Sequence, residues 1–470
     1  MSSGRGVPSY IEPELKPFQA TEREIDMSRS AHRMSITRRN FLKAAATAAI
    51  APAIVPSRVF FGQTAPSDTM QLGCIGVGRQ GRGDMQELIY RGLEAGARVV
   101  AVCDIDAHRR EGAQWLADMI YAKELANEGT KGCEAYSDFR ELLARQDIDG
   151  VLIVTPDHWH APMAIAAANA GKDIYLEKPF TYTIAEGRKL VEAVRRNNRV
   201  FQTGSQQRSS IYFLMACELT RNQRIGKLNT IRARLPLDQG TGDPRPMPVP
   251  KYLDYDFWLG PTPEASFTED RVHPQVGYDR PGWLQIEAYC RGMITGWGSH
   301  MNDIAQWGNG ADDTGPVEIE AKAEFPDRGL FDVHTTFQAE ALYANGVRLF
   351  MESGDPAGVR FEGDRGWIFV TRTEIQASDP EILRQQAGEG EIKLYRSTNH
   401  MKNFLECMRS RKAPVTPEEV GHRSNTVCLM AHIAMKLGRK LKWDPQAEQF
   451  IGDDEANRRL DYPHREPWTV

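Results

Sequence analysis

The sequence predicts an α/β protein whose first folded half is a doubly wound parallel sheet. Three observations carry the prediction. A glycine-rich turn, Gly76-x-Gly78-x-x-Gly81, joins an apolar run to a helix-like one. Strand-like and helix-like segments then alternate as far as Thr203, the pattern of a parallel sheet with crossover helices. After Arg208 this alternation stops, and residues 316 to 372 read instead as successive strands. At 470 residues and 41% hydrophobic side chains the chain exceeds one ordinary core, so two domains are expected.

The elements follow in order. Met70 to Ile75 is a buried strand that enters the glycine turn, and Asp84 to Gly92 is the helix after it. Glycines in such a turn let the backbone approach a pyrophosphate, which then lies at the positive end of the helix. The second strand, Arg98 to Cys103, ends at Asp104, about twenty residues beyond Gly81, where an acid accepts hydrogen bonds from a ribose 2′-hydroxyl and repels a 2′-phosphate. NAD is therefore the expected cofactor. NADP is the alternative, because Arg109 lies one helical turn beyond Asp104. Asp149 to Thr155 and Asp173 to Glu177 are further strands, separated by a helix from Pro162 to Ala170 that Gly171 ends. Thr183-x-x-Glu186 has the form of a capping box opening a helix to Asn197, and Arg199 to Thr203 is the sixth strand. Ligands bind at the carboxyl ends of such strands, so Gly76 to Gly81, Asp104, Thr155 to His160, Glu177 to Pro179 and Gln206 to Arg208 are expected on one rim.

Composition excludes some classes. With 63 acidic and 58 basic residues the net charge of -5 is small and mixed, which argues against a nucleic-acid partner. The seven cysteines form no CxxC pattern and read as packing residues. No HExxH or comparable ligand spacing occurs, so no metal site is expected.

The N-terminal region reads as an address. Thr37-Arg38-Arg39-Asn40-Phe41-Leu42-Lys43 places paired arginines ahead of an alanine-rich apolar run from Ala44 to Val55. This is the layout of a twin-arginine export signal, with the export machinery as partner and the periplasm as destination. The run is shorter than the roughly 18 to 20 residues that span a bilayer. Folded export suits a protein whose cofactor is loaded in the cytoplasm.

Two further segments carry a family resemblance. Glu177-Lys178-Pro179 resembles the Glu-Lys-Pro signature of the glucose-fructose oxidoreductase and inositol dehydrogenase (Gfo/Idh/MocA) oxidoreductases. Gly298-Ser299-His300-Met301-Asn302-Asp303 resembles their Gly-x-His-x-x-Asp segment, and Thr155-Pro156-Asp157-His158-Trp159-His160 is similar to their strand-four Thr-Pro loop. The resemblance covers roughly residues 68 to 445. It implies a Rossmann domain, a C-terminal α/β domain with an open, mainly antiparallel sheet, and a homo-oligomer built on that sheet. The domains expected are 1–65, extension and signal; 66–207, NAD-binding; 208–450, substrate and oligomerisation; and 451–470, a tail.

On this resemblance Lys178, His300 and Asp303 are the expected catalytic residues, with Asp303 three residues along the helix to hold the imidazole. Gly76, Gly78, Arg79, Gln80, Gly81, Asp104, Thr155, Pro156, His158, His160, Glu177 and Lys178 are expected at a tightly bound NAD. Arg208 and Trp297 join Lys178 and His300 at the substrate. Each has a plainer reading: Lys178 as a solvated charge, His300 as a packed ring, Asp303 as a cap, Trp297 as core. One position departs from the family: Gly296 stands where many relatives carry Asp four residues before the histidine. The long segment Leu235 to Gly292 reads as a lid or binding wall, with Tyr255, Trp258, Tyr278 and Trp283 as candidates to stack on a sugar. Three functions are compatible: an NAD-dependent oxidoreductase of a sugar, glycoside or polyol; a redox-neutral, NAD-dependent glycoside hydrolase; and a non-catalytic nucleotide-holding protein.

Overall fold

The computed structural model describes residues 68–125 and 132–468. The paired arginines, the apolar run after them and the expected extension lie outside these residues. Among the described residues no helix is long and apolar enough to cross a membrane.

Six parallel strands form the first sheet: β1 (Met70–Ile75), β2 (Ala97–Cys103), β3 (Glu134–Tyr136), β4 (Gly150–Ile153), β5 (Asp173–Leu176) and β6 (Phe201–Thr203). Their order is β3-β2-β1-β4-β5-β6, so the order reverses between β1 and β4 and leaves a crevice at the carboxyl ends of those two strands. Leu152, Ile153, Ile174 and Leu176 are fully buried, as strands covered by helices on both faces require. The capping box forms: Thr183 accepts from the Glu186 amide, and the Glu186 carboxylate accepts from the Thr183 amide at 3.0 Å.

The second sheet has nine strands, from β7 (Leu228–Leu235) to β15 (Gln449–Phe450), antiparallel except where β7 pairs with β10 (Arg348–Ser353). Along β7 the residues Ile231, Ala233 and Leu235 point inward while Arg232 and Arg234 face solvent. The inner face packs on α6 (Ile211–Arg221), α8 (Gly298–Asn309) and α10 (Glu418–Leu437). The outer face is a lattice of charges, with Arg234 to Glu352 at 3.0 Å and Arg360 to Glu362 at 2.8 Å.

Two segments lie elsewhere than expected. Helix α9 (His400–Ser410) inserts Met401, Phe404 and Leu405 into the core of the first sheet. Residues 451–468 are no loose tail: Ala456 joins the core of the second sheet, Trp468 stacks on Phe257, and the Arg465 amide donates to the Pro261 carbonyl at 2.9 Å. The segment from Leu235 to Gly292 builds its own cluster around Trp258, Phe267, Val272 and Tyr289. It is pinned to the first domain, with Ala107 donating to the Tyr252 carbonyl at 2.9 Å and His108 stacked on Tyr252.

Candidate active site

The glycine turn forms as its spacing requires. Gly76 has φ +79°, and a Cβ there would lie 2.5 Å from the Val154 carbonyl oxygen. At Gly81 a Cβ would meet the Gly76 oxygen at 2.0 Å, so strand and helix approach as closely as backbone allows. Gly78 faces open space and caps α1 (Arg79–Ala95) without any side-chain hydrogen bond. The first amides of α1 therefore remain available to an anion. Asp104 borders the same cavity, its carboxylate accepting from the amides of Val77 at 2.9 Å and Asp106 at 3.0 Å. Burial raises the Asp104 pKa, and these two amides oppose the rise. An open glycine cradle, free helix amides and an acid at the second strand together fit an adenine dinucleotide.

The cavity has a roof from the second domain: His273, Pro274, Pro281, Trp283 and Leu284 line it opposite the glycine turn. Arg109 is engaged by this roof. Its guanidinium lies 4.1 Å over the Tyr278 ring and donates to the Pro274 carbonyl at 2.7 Å. Trp258 and Trp283 border the cavity, whereas Tyr255 packs within the cluster beneath the roof.

Thr155 and Pro156 line the cavity, but His158 and His160 do not. The 3₁₀ turn Asp157–Trp159 carries both rings inward, where backbone carbonyls take them. His158 Nε2 is 3.0 Å from the Trp258 carbonyl, and His160 sits between the carbonyls of Pro179 and Thr155 at 2.6 and 2.9 Å. Burial pulls both pKa values down to about 4, and both rings brace the rim; a neutral His160 donates to one of its two carbonyls only. Asp157, expected on the rim but given no role of its own, borders the cavity itself, and burial pushes its carboxyl up to about 7.

Beside the dinucleotide cavity lies a second one of about 670 Å³, and Glu177, Lys178 and Gly296 border both. Lys178 has no carboxylate at ion-pair distance among the described residues. The Glu177 carboxylate accepts from the Lys178 amide at 3.1 Å and from the Gln206 side chain. Asp84, on α1, lines the second cavity next to Glu177. Burial raises both carboxyls; the Glu177 charge raises Asp84 further, whereas the Lys178 charge and the Gln206 side chain oppose the rise at Glu177.

His300 lies at the start of α8 and faces this second cavity. It is buried, and Nδ1 has no hydrogen-bond partner. Burial, then the charges of Lys178, Arg372 and His400, holds its pKa well below the ordinary histidine range. The imidazole is held toward its neutral form, and its Nδ1 is unclaimed. Trp297 meets His300 edge to face at 6.0 Å and lines the cavity.

Asp303 and Arg208 occupy other positions than expected. Asp303 does not reach His300. Its carboxylate takes Arg208 at 2.7 and 2.9 Å and the Ser424 hydroxyl at 2.8 Å. Arg208 also grips Asp312 at 2.8 and 3.0 Å and lies 5.0 Å over Trp307, and neither Asp303 nor Arg208 lines either of the two cavities. A doubly bonded guanidinium outcompetes a neutral ring for the carboxylate, and the result is a clamp between the 206–209 turn, α8 and α10. Asp84 and Arg372 are site residues the sequence reading missed. Among the described residues no group of three or more His, Cys, Asp or Glu is placed to hold a metal ion.

The fold and site define a dinucleotide-binding Rossmann domain joined to an α/β domain that completes its pocket. Residues 70–205 match the NAD-binding Rossmann-fold model of the Gfo/Idh/MocA oxidoreductase family, and residues 237–470 match that family's C-terminal alpha/beta domain. The chain belongs to the Gfo/Idh/MocA oxidoreductase family. It is 33% identical over 185 residues to a glycosyl hydrolase family 109 protein of Shewanella pealeana, covering 35% of this chain and 38% of that one. It is 30% identical over 167 residues to an inositol 2-dehydrogenase of Salmonella typhimurium, covering 35% and 46%. The matched stretch is thus less than half the length of either relative. Among solved structures, the fold is similar to WlbA dehydrogenase from Bordetella pertussis in complex with NADH and UDP-GlcNAcA (TM-score 0.58, 16% identity, 80% of this chain and 99% of that one). It is equally similar to levoglucosan dehydrogenase in complex with NADH and levoglucosan (TM-score 0.58, 18% identity, covering 80% and 99%).

Proposed function

We propose that this protein is an NAD-dependent oxidoreductase that acts on a carbinol of a sugar, glycoside or polyol. The observation that carries the reading is the meeting of two cavities at Lys178 and Gly296, with the unpartnered imidazole of His300 facing the second. Bound NAD supplies the hydride acceptor. The chain's own residues do the rest. His300, neutral at physiological pH, accepts the hydroxyl proton, and the Lys178 ammonium lies against the same oxygen and stabilises its developing negative charge. Glu177, tied by Gln206 and the Lys178 amide, fixes the turn that carries the lysine. The roof at 273–284 keeps water from the dinucleotide.

Denaturing the purified protein and identifying the released nucleotide by mass spectrometry tests the cofactor, with NAD expected. Anaerobic incubation with sugars, polyols and glycosides, followed at 340 nm, tests the reaction. An empty protein without affinity for NAD or NADP would falsify the reading.

A redox-neutral glycoside hydrolase on retained NAD is the second reading. It is favoured by the roof over the dinucleotide cavity, by Gly296, and by the likeness to the Shewanella pealeana protein. Release of an aglycone without net NADH is its signature. The sequence of Arg38, Arg39 and the apolar run supports export through the twin-arginine pathway to the periplasm. Replacing both arginines with lysine should retain the protein in the cytoplasm, and unchanged export rejects the signal. The open nine-stranded sheet, uncovered on one face, is the ground for a homo-oligomer, which light scattering of the purified protein tests.

A further inference from the structure

The second cavity holds more positive charge than the proposed chemistry uses. Lys178, Arg372, Arg280 and Arg79 face it, against only Asp84 and Glu177. Burial raises both carboxyls, and even counted as fully ionised they leave the lining with an excess of positive charge. Arg79 stands at the first turn of α1, on the dinucleotide side, and Arg280 has Asp238 at 4.0 Å. Arg372 has no such partner. It follows strand β12 (Trp367–Val370), its guanidinium lies 4.5 Å over the Trp297 ring, and its Nε donates to the neutral Gln207 side chain at 3.2 Å. Among the described residues no carboxylate stands at ion-pair distance from it. Arg372 is exposed as a residue; desolvation on its inner side lowers its pKa, and the more distant Glu177 charge opposes this.

A guanidinium over an indole and tied at Nε, on a residue that lines the cavity, leaves its Nη groups free for whatever fills it. That edge is a planar fork of donors, and its matching partner is a carboxylate. We infer that the substrate is a sugar or polyol acid whose carboxylate binds the Nη edge of Arg372, with its reacting carbinol at Lys178 and His300. This inference rests on the proposed function and names its substrate class. It also couples binding to chemistry. Arg372 is one of the charges that depress the His300 pKa, so a carboxylate seated on Arg372 offsets that charge and makes His300 a stronger base when substrate is bound.

The test uses the purified, NAD-loaded protein and a panel of hexuronates and aldonates beside their neutral parents and the matching sugar 6-phosphates. Binding is read by calorimetry and turnover at 340 nm. At least one carboxylated sugar should bind about thirtyfold to a hundredfold more tightly than its neutral parent, the range of a charge-assisted hydrogen-bonded pair. Arg372→Met should collapse that ratio to within a fewfold, and Arg372→Lys should restore part of it. Nucleotide content of both variants, measured after denaturation, separates loss of the subsite from loss of the fold. Carboxylate-selective binding without turnover or aglycone release supports the subsite and rejects the proposed function. Equal binding of acids and neutral parents overturns the inference, as does a preference for the phosphates or a selectivity that survives Arg372→Met.

Discussion

Replacing Gly296 with aspartate restores the carboxylate that many relatives carry four residues before the histidine, and the structure has room for it. A Cβ at Gly296 meets only the Met293 Cε at 3.5 Å, and the position borders both cavities. Gly296 ends one short helix and His300 lies in the first turn of α8, with Trp297 the shared cap between them, so the new carboxylate is placed at about 5–6 Å from the imidazole, the spacing of adjacent turns. A unit charge at that distance, in an effective dielectric of about 20, is worth roughly 3 kcal/mol, or about two pH units on the imidazole. In the native protein burial, Lys178 and Arg372 hold the His300 pKa well below the ordinary range. The base is active when deprotonated, so the acid limb of kcat/KM lies below that range and activity is lost only as pH falls through it. Gly296→Asp raises the pKa, and the limb should therefore move upward by one to two units. The assay is kcat/KM against pH for the NAD-loaded protein, with a thermal melt as control. A limb that stays put in a variant that folds and binds NAD normally refutes His300 as the titrating base. If the pocket is built for elimination and hydrolysis, the new charge should damage the native reaction while the limb still moves.

The other predictions separate chemistry from scaffold. His300→Ala and Lys178→Ala should each lower turnover a hundredfold or more, about 3 kcal/mol of transition-state stabilisation, with nucleotide content unchanged; near-normal rates in both remove the mechanism. Arg208→Ala leaves Asp303 buried without its cation and should cost roughly 3–5 kcal/mol in urea unfolding, whereas a stable but inactive variant would return Arg208 to the substrate. Tyr278→Ala removes the ring over which Arg109 lies and should speed NAD loss on dialysis about threefold to thirtyfold, the worth of a partly desolvated cation–π contact. An unchanged release rate would show that the roof does not retain the cofactor.

The first sheet was legible because its signals are local. A glycine turn, strand ends such as Asp104 and the capping box at Thr183 depend on residues a few positions apart, and each lies where its spacing puts it. The rim was legible as backbone but not as side chains. His158 and His160 belong to the loop that the motif marks, yet a single 3₁₀ turn decides which way their rings point, and unclaimed carbonyls of residues 179 and 258 decide what holds them. Asp303 illustrates a further limit. Its spacing from His300 is helical, but the choice of partner was made by Arg208, which arrives from another element and binds it with three hydrogen bonds to its carboxylate. The place of Arg372 in the cavity and the docking of helix α9 on the first sheet carry no local signal, because chain far apart in sequence meets only in the folded protein.

The roof over the dinucleotide constrains how the proposed reaction can turn over. It is pinned at Tyr252 and His108 and closed by Arg109 on Tyr278, while its own cluster around Trp258 and Tyr289 makes it a rigid wall and not a loose flap. If the roof retains the cofactor, as the Tyr278→Ala test reads, the cofactor leaves slowly compared with a sugar that enters the second cavity. On the proposed function, then, electrons taken from one substrate must leave through the same Lys178–His300 cavity, either to a second carbonyl compound bound in turn or back to the oxidised sugar itself. The first is a ping-pong exchange between two sugars, and the second is the redox-neutral hydrolytic cycle. Both need one cavity that accepts an alcohol and a carbonyl at the same oxygen position. Lys178 stabilises negative charge on that oxygen in either direction, and His300 gives back in the reduction the proton it took in the oxidation.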